Sequence, residues 1–148
     1  MASLYDTDYV AWIEETARLL DARDFDKLDV EHLIEEVEGL KKSEQRAVRS
    51  HLIHLIEHVL KWHFDKASLP RTDKEWRKSI RNARREALEI LADSATLWPY
   101  LHEQFEYCYR HGREEALEGI DVPEDAIPAQ SPWLLEELLT EGWLPHAD

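Results

Sequence analysis

Between Asp29 and Phe64 the apolar residues return every three or four positions. The stretch reads DVEHLIEEVEGL, KKSEQRAV and RSHLIHLIEHVLKWHF, with Glu and His threaded between the apolar positions. Such spacing lays one apolar stripe along a helix and does not alternate across a strand. It therefore directs the chain towards packed helices. The interleaved Glu and His leave two readings of the polar face: an ordinary solvated flank, or groups that converge on a metal.

The same periodicity extends along the chain. Asp6, Thr7 and Asp8 are good helix caps ahead of Val10, Ile13, Ala17 and Leu20, and a first helix is predicted over about Thr7–Ala22. Residues 23–29 form a polar turn that carries Phe25 and Leu28. Asp29 caps a second helix whose stripe is Val30, Leu33, Ile34, Val37 and Leu40. An unbroken helix from Val30 to Phe64 would be ~50 Å long, so a break or sharp kink is expected between Gly39 and Ser43. A third helix then covers 44–64. Ala67–Thr72, with Pro70, ends it. A fourth helix is predicted over 73–92 around Trp76, Ile80, Ala83, Ala87 and Leu91, and a fifth from Ser94 or Thr96 to about Glu118. After a loop with two prolines, Ser131-Pro132 opens a short sixth helix that stops before Gly142. The expected fold is all-α: a single-domain bundle of five or six helices covering residues 1–148.

A chain of 148 residues with six Trp, five Tyr and three Phe holds enough apolar material for one core. Its single Cys, Cys108, excludes an intrachain disulfide and sits on an apolar stripe, where a buried inert thiol is expected. No apolar run approaches the ~20 residues that span a bilayer, so no membrane role is expected and a cytoplasmic location is. The formal charge of −14 argues against nucleic acid as a partner, because that binding depends on cations neutralising phosphates. Charge is uneven, however. Residues 71–85 hold seven basic and two acidic residues inside an otherwise acidic chain.

Three constellations can carry chemistry. His54-Leu55-Ile56-Glu57-His58 fits H-x-x-E-H, in which two His four residues apart hold zinc and Glu57 acts as general base. Peptidases of that kind are much larger and have substrate-binding strands, which this chain lacks. A wider metal set joins His51, His54 and His58 to Glu35 or Glu38, its core being Glu35, His54 and His58. That set fails if the second and third helices form one rod, since Glu35 and His58 would then be ~35 Å apart. The third constellation is Glu35 and Glu36 with Arg77, Arg81 and Arg84. Bidentate pairing could lock the fourth helix to the second, and an anion-binding cleft is the functional alternative. There is no glycine-rich phosphate loop and no nucleophile elbow.

The segments LYDTDYVAWIEE, LDVEHLIEEVEGL, HVLKW, TLWPYL and IPAQSPWLLEELLTEGWLP, in that order over nearly the whole chain, resemble the bacterial domain-of-unknown-function family 29. The resemblance implies an all-helical fold and no known activity. Trp12, Glu35, Glu36, His58, Lys61, Trp62, Trp76 and Arg84 match the family pattern, whereas His51 and His54 look particular to this chain. Where the family tail reads Cys-Pro, this chain has Ser131-Pro132.

The function expected from these readings is a non-enzymatic interaction or accessory module without a cofactor. It would bind a protein partner or itself, with Trp133 and Trp143 as candidate contacts or, equally, as core closure. The rival is a metal-binding bundle protein or hydrolase that uses Glu and His.

Overall fold

A computed structural model describes residues 2–146 and is all-helical, with no strand among the described residues. Six α-helices follow one another: α1 (Leu4–Thr7), α2 (Tyr9–Asp21), α3 (Val30–Phe64), α4 (Leu69–Asp93), α5 (Leu97–Gly119) and α6 (Leu135–Leu138). They form two compact units, Met1–Ser43 and Glu44–Asp148.

In the N-terminal unit Asp8 caps α2, accepting the backbone N–H of Ala11 at 3.1 Å. This is one of the caps the sequence offered. The helix ends where Arg23 takes a φ of 59°, in the left-handed region. That lets Arg23 N–H reach Leu20 O at 3.1 Å and Asp24 N–H reach Leu19 O at 2.9 Å, so two otherwise orphaned carbonyls are satisfied. Asp29 starts α3 by accepting the N–H of His32 at 3.3 Å. The interior of this unit is small. Trp12, Thr16 and Leu19 are its buried residues on α2, and Tyr5 and Tyr9 pack their rings against Trp12.

The expected break between Gly39 and Ser43 does not occur; α3 is continuous over 35 residues. One glycine costs a helix only ~1 kcal/mol, and the Lys, Glu, Gln and Arg that follow are all good helix formers. Polarity across 41–45 marks a solvated stretch of that helix.

The C-terminal unit holds the main core. Val48, Leu52, Leu55, Ile56, Val59 and Leu60 of α3 are fully buried against Ile80, Ala83 and Ala87 of α4 and Leu101, Cys108 and Ala116 of α5. At Gly112 a Cβ would lie 2.6 Å from Ile56 Cγ2, so the glycine permits the close approach of α5 to α3. Helix α4 begins at Leu69, four residues earlier than expected, because Pro70 falls in its first turn, where a missing N–H costs little. The sixth helix is shorter than predicted. Ser131 Oγ donates to the carbonyl of Trp133 and accepts its N–H, holding Ser131–Trp133 in a turn ahead of α6.

The tail is fastened by polar side chains reaching backbone carbonyls. Tyr109 Oη donates to Pro128 O at 2.5 Å, and Arg113 donates to Glu124 O and Ile127 O. Trp133 and Trp143 meet edge to face at 5.8 Å and are half-buried against the core. Both rings thus take part in closing the core. Burial raises the Cys108 thiol pKa to about 12, consistent with an inert buried cysteine.

Candidate functional sites

Three places combine geometry with chemistry. The first is on α3. His54, Glu57 and His58 share one face, and one ligand atom from each lies within 4.8 Å of the others. The spacing i, i+3, i+4 on a regular helix brings this about. His58 Nδ1 is 2.9 Å from His54 O. A carbonyl can only accept, so Nδ1 carries the proton and Nε2 keeps its lone pair. Burial favours the neutral ring, lowering the His58 pKa. His54 is largely exposed. Glu57 already has a cation, with Lys61 Nζ at 2.7 Å from Oε2. Lys61 in turn packs under Gly119, where a Cβ would sit 2.6 Å from Nζ. Among the described residues neither Glu35 nor His51 belongs to this cluster; the carboxylate that joins the two His is Glu57.

The second place is on α4 in the C-terminal unit. Of the charged groups that the sequence singled out, Glu36, Arg77 and Arg84 have partners within their own units. Glu36 accepts hydrogen bonds from Tyr5 Oη at 2.5 Å and from Tyr9 Oη. Those two bonds lower its pKa and raise that of Tyr5 to about 12. Arg77 pairs with Asp73 at 2.9 Å and lies over the Trp62 ring, whose Nε1 donates to the same carboxylate. Arg84 is buried, and its Nε and Nη2 donate to Leu138 O and Trp143 O at 2.8 and 2.7 Å. Trp76 is half-buried against the core. Arg81 and Arg85 are exposed and line a cavity of about 400 Å³ with Arg84, Leu88, Glu89, Glu141 and Gly142.

The third place is in the N-terminal unit. Helix α2 and the first turns of α3 enclose a groove of about 280 Å³, walled by Ile13, Ala17, Leu20, Leu33, Val37 and Leu40, with Trp12 and Thr16 beneath. Val10, Val37 and Leu40 are 62, 58 and 69 % exposed, values unusual for large aliphatic side chains on helices. Sequence reasoning placed these residues on the apolar stripes of their helices. Their spacing alone carries no signal that they remain uncovered.

The class is thus an all-α protein with a buried arginine, a His–Glu–His face and an open apolar groove. The chain belongs to the family described as Domain of unknown function DUF29, whose family model matches residues 4–144. No curated protein and no solved structure matches the chain. The family brings no assigned activity, and functional roles rest on the chain's own geometry.

Proposed function

We propose that this chain is a non-enzymatic protein-interaction module, and that its N-terminal unit docks a basic amphipathic helix of a partner protein. The supporting observation is the groove between α2 and α3: aliphatic, open and running along two helices, the shape a third helix fills with side chains spaced i, i+3, i+4 and i+7. Charge decides the occupant. Residues 1–43 carry twelve carboxylates against five Lys or Arg. Glu14 falls one turn from Val10 and Asp21 one turn from Ala17 on α2, Glu31 and Glu38 fall beside Val30 and Ile34 on α3, and none of the four has an ion pair among the described residues. A second copy would bring the same acidic rim and be repelled, whereas a lysine-rich helix would neutralise it.

The test is calorimetric titration with two synthetic 18-residue amphipathic helices, one Leu/Lys and one Leu/Glu. The Leu/Lys peptide is expected to bind, more weakly at high salt. Val37→Asp and Leu40→Asp are expected to weaken it by about tenfold or more. Equal binding of both peptides, or binding unaffected by these substitutions, would overturn the reading. So would a concentration-dependent dimer that Val37→Asp dissolves, since the groove would then serve self-association.

A second reading, metal binding, is supported by the convergence of His54, Glu57 and His58. It needs Glu57 to exchange Lys61 for the ion. The hydrolase version of this reading has less support, because no strand is available among the described residues to align a peptide. Zinc bound stoichiometrically in the purified protein and lost in His58→Ala would favour this reading over the first.

A further inference from the structure

Helix α4 carries four of its five arginines along one edge, at 77, 81, 84 and 85, with Leu88 one turn beyond. Most of that edge is solvated, but Arg84 is 4 % exposed and turned inward among Ile80, Ala83 and Ala87. A buried guanidinium is costly unless its charge is met. Two carbonyls from the tail, Leu138 O and Trp143 O, meet Nε and Nη2. They fix the plane of the group and use two of its five N–H bonds, while its charge is met only in part, by the nearby carboxylate of Glu141. No other hydrogen bond or ion pair to Arg84 is present among the described residues, and Arg84 lines two adjoining hollows, of about 400 and 280 Å³.

The two hollows share Arg81, Arg84, Glu141 and Gly142 and form one cleft along α4. Leu88 lines one end and Ile80 and Leu144 the other. Four arginines border the cleft against two carboxylates, Glu89 and Glu141, so it is cationic inside a chain of formal charge −14. Arg81 and Arg85 make no hydrogen bond or ion pair to a side chain among the described residues. Gly142, at φ 79°, turns the tail past the mouth of the cleft without placing a side chain in it.

We propose that this cleft binds a small organic anion. Its phosphate or carboxylate head is held by the free edge of Arg84 and by Arg81, and its apolar body lies along Leu88. Planar guanidinium groups match both kinds of oxyanion in a bidentate manner, and Arg84 is pre-oriented by its carbonyl bonds, so little order is lost on binding. Hollows of this size suit a single-ring or short-chain acid.

The test is an NMR titration of the full chain with phenyl phosphate, benzoate, inorganic phosphate and benzyl alcohol. Phenyl phosphate or benzoate is expected to shift the Arg81, Leu88 and Gly142 amides with saturation in the micromolar to low millimolar range, and to bind about tenfold or more tightly than inorganic phosphate. Whichever of the two binds better identifies the head group. Benzyl alcohol is expected to give no saturation. Arg84 also fastens the tail, so the deciding variant is the double substitution Arg81→Gln, Arg85→Gln. It is expected to lower affinity about tenfold or more with an unchanged melting temperature. No saturable shift with either organic anion would overturn the proposal. Affinity unmoved in the double variant, or inorganic phosphate binding as tightly as phenyl phosphate, would also overturn it.

Discussion

At the scale of single residues, several of the groups that carry charge are met by near neighbours on the same helix or by backbone. Asp29 and His32 show this most directly. The carboxylate caps α3 and meets His32 Nδ1 at 2.5 Å, while the imidazole stacks on Tyr5 with centroids 4.0 Å apart. The hydrogen bond raises the His32 pKa above 6.5 and lowers that of Asp29 below 3.8. The sign follows for each partner. The His32 contribution is complete below its unfolded pKa and is lost as pH rises through the higher folded value. The Asp29 contribution is complete above its unfolded pKa and is lost as pH falls through the lower folded value. The pair therefore stabilises the N-terminal unit most between about pH 4 and 6. NMR titration is expected to place the His32 midpoint above 6.5, and Asp29→Asn should return it to about that value. A midpoint at or below 6.5 in the unsubstituted protein would show that the pair does not form. Local pairs such as this one, and His54–Glu57–His58, are legible in a sequence because helical spacing alone creates them. The partners of Arg84 are not, since they are carbonyls 54 and 59 residues away. Carbonyls have no sequence signature.

Among the elements, periodicity located every long helix and misplaced their joints. The stripes of α2, α3, α4 and α5 lie where apolar spacing put them. The errors concern Gly39 and Pro70, two residues that commonly punctuate helices. At Gly39 the helix continues because the penalty is small beside the favourable residues around it. At Pro70 the helix begins, since first-turn position matters more than residue type. The stripe also cannot reveal whether it is covered. Val37 and Val48 look alike in the sequence, yet one is 58 % exposed and the other fully buried. Continuity at Gly39 leads to a stability prediction. A Cβ there would meet no atom within 4 Å, so Gly39→Ala adds helix propensity without a clash. It should stabilise the protein by about 0.5–1 kcal/mol in urea unfolding. Destabilisation would mean that residues 39–43 are not helical in solution, and the break expected from the sequence would be restored.

Across the whole molecule, stability and binding potential are unevenly divided. Residues 44–148 contribute the twenty apolar residues of the main core cluster, whereas the buried residues of 1–43 are Trp12, Thr16 and Leu19. At ~25 cal/mol per Å² of apolar surface buried, that difference far outweighs any difference in caps or ion pairs. A helix shared by both units should therefore not open as one body. Amides of α3 from Val48 to Leu60 should exchange with solvent only through global unfolding. Those of α2 and of α3 before Gly39 should exchange by local opening at markedly lower free energy. Hydrogen exchange read by NMR along α3 tests this, and a boundary is expected near Ser43. Adding the Leu/Lys peptide should slow exchange in residues 9–40 and leave 48–60 unchanged, because a ligand stabilises only the states that bind it. Uniform protection along the 35 residues of α3, with or without peptide, would mean that the exposed aliphatic face costs the N-terminal unit nothing. The physical case for a docking partner would then be removed.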